Sequence, residues 1–293
     1  MSEQALDDLT ALLPPLLRSL EALGFVARYL NPSDFGRVMQ AVGAPDAPLA
    51  DLRARLDAWP DALGEVRSGM AAAADATIGT FAELRAAGES GADIGAVYRA
   101  LRHLPRAQAA LYPFAAGLPP LSRFFLEPDR RDDAALLARL GEAPARPDTG
   151  VLQLAGEPGA RASVTAYVPE YYSADETWPL VVALHGGSGN GAAFVWSWLR
   201  AARSGGAILV CPTASGSTWA LQGPDPDTPM LARIVEAVVA QWNVDPARRL
   251  LTGMSDGGTF AYVSGLEPAS PFTHLAPVSA AFHPMLAGFA DRG

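Results

Sequence analysis

The sequence contains no lysine: all 22 cationic side chains among its 293 residues are arginine. That absence excludes a phosphate-loop lysine, Schiff-base chemistry and a Ser–Lys dyad. Together with the abundance of alanine, it points to a GC-rich bacterial genome. Cysteine occurs once, at Cys211, so no intramolecular disulfide forms; at the end of the run "AILVC" it is expected to be a buried, inert thiol. There are four histidines and no H-E-x-x-H or C-x-x-C spacing, so neither a metal nor any other cofactor is implied. Positive charge is also scarce. The formal net charge is -9; residues 1–150 carry 20 acids against 15 arginines and the remainder 11 against 7, giving -5 and -4. Neither half is a basic arm, which argues against nucleic acid as a partner. No run approaches the roughly 20 apolar residues of a membrane span, and the opening "MSEQALDDLT" lacks the basic start of a secretory signal. A cytoplasmic protein is expected. Hydrophobic residues make up 49% of the chain, enough for a sizeable core.

Two textures divide the sequence. Residues 1–142 read as a helical domain. Leu6, Leu9, Leu12, Leu13, Leu16, Leu17, Leu20 and Leu23 recur at helical spacing, with Gly24 as the expected stop. Asn31-Pro32 and Pro60-Asp61 are helix starts, the second leading to Gly88. Ser90 with Asp93 resembles a capping box, Pro105 is expected to break or kink the helix that follows, and a last helix is expected from Asp132 to Leu140. Residues 143–150, within "GEAPARPDTG", read as a linker. Residues 151–293 change character. "VLQLA" and "SVTAYV" alternate as edge strands do, whereas "LVVAL", "AILV", "RLLTG" and "HLAPVS" are continuously apolar, as strands buried on both faces are. Helical stretches at 192–203, 229–242 and 257–265 separate the later strands. This alternation predicts an α/β fold with a mostly parallel sheet.

Ligands gather at the carboxyl ends of parallel strands, and two such ends carry chemistry. "RRLLTGMSDGG" places Ser255 in the pattern G-x-S-x-G between an apolar strand and a helix. A serine on so sharp a turn needs small neighbours, which Gly253, Gly257 and Gly258 provide, and it projects its hydroxyl out of the sheet. The N–H of Asp256, at the helix start, is a candidate oxyanion donor. "LHGGSGNG" follows the earlier strand; there Gly187 is the candidate second donor, and His185 is expected to brace the loop rather than act as a base. Gly187 to Ala192 also fits G-x-G-x-x-A, the dinucleotide fingerprint, but the next strand ends "LVCPTASGS" without the acidic residue that fingerprint requires. Trp196, Trp198 and Trp219 fall near strand ends, where they either line an acyl pocket or pack in the core.

"LHGGSGNG", "CPTASG", "VDPARRLLTGMSDGG" and "APVSAAF", in that order, resemble the first two-thirds of an α/β-hydrolase of the phospholipase/carboxylesterase and polyhydroxyalkanoate-depolymerase-like type. The resemblance covers about half of the chain, and the helical first half has no counterpart in a minimal hydrolase. It implies Ser255 as nucleophile, Gly187 and Asp256 as backbone oxyanion donors, and a carboxylic ester as the small-molecule substrate. It also implies the order serine, acid, histidine. After Ser255 the sequence has room for one helix, a sixth strand and the start of another helix. The hydrolase domain is therefore expected to be truncated after that strand, either as a fragment of a longer hydrolase or as a degenerate form that binds without turnover. His283 follows the sixth strand on the catalytic edge and is the candidate base. His103 belongs to the helical half and His274 to the wrong end of the sheet. Asp225 and Asp227 sit in a loop that could rim the site, and Asp245 lies at the opposite end. The helical half is expected to serve as lid, cap or dimerisation unit, with homo-oligomerisation through it. Its segment "AAGLPPLSRFFLEPD", with Phe124 and Phe125, either touches lipid or substrate or packs against protein. The rival to an esterase is a non-catalytic binding or scaffold protein on a hydrolase fold.

Overall fold

The computed structural model describes residues 2–89 and 93–281. The chain divides into two compact units, Met1–Phe125 and Leu126–Gly293.

The first unit is helical: α1 (Glu3–Arg28), α2 (Phe35–Val42), α3 (Leu49–Arg55), α4 (Gly64–Glu89), α5 (Ile94–Leu101), α6 (Leu104–Leu111) and α7 (Pro119–Phe124). The leucines of α1 behave as their spacing predicts, with Leu12, Leu16 and Leu23 fully buried. Gly24 does not end the helix. Val26 continues the buried stripe, and its burial outweighs the ~1 kcal/mol cost of one interior glycine. By length and composition alone, α1 also reaches what is needed to cross a membrane, against the expectation from its interrupted apolar run. Its buried face makes it a core helix of this unit. Asp93 caps α5, its carboxylate accepting the N–H of Gly95 at 3.0 Å; Ser90 lies outside the described residues. Pro105 sits in the first turn of α6 rather than kinking one long helix. Phe124 and Phe125 are buried, edge to face at 5.0 Å.

The second unit begins earlier than the expected linker. Helix α8 (Ala134–Glu142), capped by Asp133, buries Leu136 and Leu140 with Leu126, and its Arg139 guanidinium lies 4.4 Å from the ring of Tyr171. The segment read as linker is pinned in turn: Asp148 pairs with Arg146, and its carbonyl accepts from the indole of Trp242 at 3.1 Å. Then come β1 (Gly150–Ala155), β2 (Val164–Val168), β3 (Trp178–Leu184), α9 (Gly191–Gly205), β4 (Ile208–Pro212), α10 (Asp227–Gln241), β5 (Val244–Met254), α11 (Asp256–Gly265) and β6 (His274–Val278). The sheet order is β1-β2-β4-β3-β5-β6, with β1 and β2 antiparallel and β4, β3, β5 and β6 parallel.

All six strand segments lie where they were expected, but two differ in burial. β2 is not an edge strand: it is paired on both sides and all five of its residues are buried, with Thr165 satisfied by Gln153 at 2.9 Å. β6 is not buried on both faces among the described residues; its alternate residues are exposed and it is the last strand of the sheet.

The start of α9 presses directly on the end of β4. A Cβ on Gly191 would stand 1.9 Å from the carbonyl oxygen of Cys211, whereas one on Gly205, at the other end of the helix, meets nothing within 4 Å. Gly191→Ala is therefore expected to destabilise the unit by ~1–3 kcal/mol or more, and Gly205→Ala to be neutral or stabilising by up to ~1 kcal/mol. Chemical denaturation of the two variants checks the contrast.

Candidate active site

Strand order places the site. From β3 the chain crosses to β4 on one side, then returns over β3 to β5 on the other. In parallel sheets ligands bind at the carboxyl ends where the two directions diverge, which here are the ends of β3 and β5. Leu184 pairs with Gly253 in the last matched register of β3 and β5, so the loop after β3 and the corner after β5 leave the sheet side by side.

Ser255 is that corner. Its backbone has φ 55 and ψ -119, a conformation that L-residues avoid, and helix α11 starts at the next residue. The strain is held from both sides: the Ser255 N–H donates to Val278 at 3.0 Å, and the Ser255 carbonyl accepts from Thr259 at 2.9 Å. The flanking glycines are there because backbone meets backbone. A Cβ on Gly257 would stand 2.4 Å from the carbonyl oxygens of both Leu184 and His185, one on Gly253 would stand 2.5 Å from Gly257, and one on Gly258 would stand 2.8 Å from Val278. Ser255 itself is exposed, as is Met254 before it. As the first residue of α11, Asp256 has an N–H with no carbonyl one turn back to receive it.

The loop after β3 lies against this corner. A Cβ built on Gly186 would be 3.6 Å from that of Ser255, and one on Gly187 would be 2.8 Å from a carboxylate oxygen of Asp256. His185 holds the loop's shape. Its Nδ1 contacts the Gly186 carbonyl at 2.7 Å and its Nε2 contacts the Ala214 N–H at 3.1 Å. Because an amide N–H only donates, Nε2 is the acceptor and Nδ1 carries the proton. With both nitrogens occupied and the side chain buried, His185 is a brace. Its pKa is lowered, first by burial, with Arg161 adding to the effect, while the Gly186 carbonyl, Asp227 and Asp256 oppose it. The neutral tautomer is the stable one.

A third segment, residues 213–227, closes the arrangement and was not legible as such. Asp227 is buried, its two oxygens accepting the N–H groups of Ser215 and Ala220 at 2.9 Å each. It is a clamp on the loop rather than a rim residue. Asp225 accepts from the N–H groups of Asp227 and Thr228 at the start of α10. Thr218 donates to Asp256 at 2.8 Å, and the Trp219 indole donates to the His185 carbonyl at 2.8 Å. Trp219 stacks on Phe260 with centroids 5.5 Å apart and is core rather than pocket wall. Trp196 is buried on α9 and Trp198 half-buried. The run of Ser, Thr and Asp in "TASGSTWALQGPDPD" is the only trace of this clamp in the sequence.

The remaining candidates separate. His103 precedes α6 and its Nε2 lies 3.3 Å from Glu83. His274 opens β6, at the amino end of the sheet. Asp245 accepts from Ala247 and Arg248 at that same end, contacts that lower its pKa. His283 lies outside the described residues, and among those described no histidine is hydrogen-bonded to Ser255. Cys211 is buried, and burial pushes its thiol pKa up. No group of three or more potential metal ligands occurs among the described residues.

No family model matches the chain. It is 33% identical over 119 residues to a probable feruloyl esterase C of Aspergillus terreus, a match covering 38% of this chain and 44% of that protein. It is 31% identical over 127 residues to a bifunctional acetylxylan esterase/xylanase, XynS20E, of Neocallimastix patriciarum, covering 42% of this chain and 18% of that one. The chain thus spans less than half the length of these curated relatives. Among solved structures it is similar to an acetyl xylan esterase from Aspergillus awamori, at 17% identity and a TM-score of 0.41, covering 47% of this chain and 54% of that one. It is also similar to LpqC, a poly(3-hydroxybutyrate) depolymerase from Bordetella parapertussis, at 26% identity and a TM-score of 0.33, covering 39% and 44%. The sheet, whose crossovers change direction at β3 beside a strained serine corner, is of the α/β-hydrolase type, and the relatives that the second unit resembles over this stretch are named as esterases.

Proposed function

We propose that this protein is a serine esterase that cleaves carboxylic esters through an acyl-enzyme on Ser255. The observation that carries the reading is the corner itself: an exposed serine at φ 55 and ψ -119, at the carboxyl edge of a parallel sheet, kept there by glycines that nothing larger can replace. The Ser255 hydroxyl attacks the ester carbonyl while a histidine takes its proton. The backbone N–H groups of Gly187 and Asp256 receive the charge that develops on the carbonyl oxygen. The alcohol leaves, and water then clears the acyl group. His283, which follows β6, is the base proposed from within this sequence. The relatives named as feruloyl and acetylxylan esterases support acetyl and feruloyl esters as the first acyl groups to test. A binding protein on the same fold is the second reading, favoured by the lack of a histidine hydrogen-bonded to Ser255 among the described residues.

Labelling with a fluorophosphonate separates the two. The esterase reading expects a covalent adduct on Ser255 that is abolished in Ser255→Ala, together with turnover of p-nitrophenyl acetate or methyl ferulate. No adduct and no turnover would leave the binding protein. With His283 as base, His283→Ala is expected to lower kcat/KM by at least about a hundredfold; unchanged activity removes His283 from that role. The brace assigned to His185 makes a separate expectation. Its folded-state pKa is lowered, so the unfolded chain binds the proton more readily. The stabilisation is complete above the unfolded value of about 6.5 and is lost as pH falls below it. The denaturation midpoint is expected to fall between pH 7.5 and pH 5.5, and to fall less in His185→Gln.

A further inference from the structure

The Asp256 side chain is not needed by the chemistry proposed above, which uses only its N–H. Its carboxylate nevertheless stands at the junction of the three segments that build the site. One oxygen accepts the Thr218 hydroxyl at 2.8 Å, and the same oxygen lies 2.8 Å from where a Cβ on Gly187 would be. Thr218 in turn belongs to a segment tied down at several points. Ala214 is held by the His185 ring, Trp219 donates to the His185 carbonyl, and Ser215 and Ala220 are held by the buried carboxylate of Asp227. The hydrogen bond from Thr218 therefore links a fixed loop to the first residue of α11, and Asp256 meets the glycine loop at the residue proposed to supply the other amide.

We propose that Asp256 and Thr218 are positioning residues. The carboxylate, held in one rotamer by the Thr218 hydroxyl, is the spacer that sets the distance between the 186–189 loop and the Ser255 corner, and so aims the two amides at one point. This role rests on the esterase reading for its consequence, but not for its geometry. The His185 brace fixes the loop at the Gly186 carbonyl, one residue short of Gly187. Gly187 and Ser188 are exposed, Ser188 is itself at φ 59, and the turn is closed by a single 3.1 Å bond from the Gly189 N–H to the Gly186 carbonyl. Without a side chain at position 187, contact with Asp256 has to come from the Asp256 side, at a length that glutamate would overshoot and alanine would not reach. The exposed position of Gly187 also explains why the loop needs a spacer from the nucleophile side: solvent lies on its other face.

The test compares Thr218→Val, Thr218→Ser and Asp256→Ala with the parent chain in two measurements. The first is amide hydrogen exchange of the peptide spanning residues 186–189. The second is the rate of fluorophosphonate labelling at Ser255, with kcat and KM for p-nitrophenyl acetate. Positioning predicts faster exchange in Thr218→Val and Asp256→Ala, and labelling and kcat lowered by about tenfold to a hundredfold at nearly unchanged KM. It also predicts recovery to within about threefold in Thr218→Ser, which restores the hydroxyl. Exchange unchanged in both Thr218→Val and Asp256→Ala overturns the proposal, as does a loss that Thr218→Ser fails to recover or one confined to KM. If the parent chain itself takes no label, the esterase reading fails, and the exchange measurement alone still decides whether these residues set the loop.

Discussion

The site depends on a contact between main chains. At Gly257 the first turn of α11 touches the carbonyls of Leu184 and His185 at the end of β3, with no room for one additional carbon. That approach lets β5 turn into a helix within one residue, and the turn forces Ser255 to positive φ. A strained residue persists only where its surroundings over-determine it. Here the surroundings are the bond to Val278, the bond from Thr259 and the close contacts at Gly253, Gly257 and Gly258. The strain is a consequence of packing, and the exposed hydroxyl is a consequence of the strain.

The same closeness organises the electrostatics. His185 is kept neutral by burial and by being shared between an acceptor and a donor, so it adds no positive charge behind the oxyanion position. The carboxylates near the corner are engaged as well, Asp227 by two amides and Asp256 by Thr218. The groups proposed to receive the substrate carbonyl are backbone dipoles, and the Asp256 carboxylate beside Gly187 is bonded to the Thr218 hydroxyl. Such an arrangement favours a charge that appears only during reaction over one already present in the ground state.

How much of this was legible follows from which forces leave a trace in one dimension. The strands and the serine corner were readable, because buried parallel strands are apolar runs and because a backbone contact at Gly253 or Gly257 demands glycine whatever lies elsewhere. Burial of β2 and exposure along β6 were not, because they depend on neighbours: Val164–Val168 alternates in the sequence yet is enclosed by partners on both sides. The end of α1 was missed for a similar reason, since the burial of Val26 overrode Gly24. The loop clamp was invisible because Asp227, His185 and Thr218 reach their partners across 7, 29 and 38 residues of sequence, by hydrogen bonds that have no period.

The stretch from Gly187 to Ala192 shows how one pattern serves two physical purposes. In a dinucleotide fingerprint, the glycines let main chain approach a pyrophosphate, and the last position lets helix pack on strand. In this chain it is Gly191, one residue before the fingerprint's last position Ala192, that packs helix on strand: its space is filled by the Cys211 carbonyl, and its N–H donates to Thr213 at 2.9 Å. Gly187 faces Asp256, a carboxylate, where a pyrophosphate would meet like charge. The helix N-terminus that the fingerprint would offer to phosphate is capped by Asn190, whose side chain accepts from Ala193 at 2.9 Å. The stretch that fits a nucleotide is thus accounted for by helix–strand packing at Gly191 and by the approach to Asp256 at Gly187.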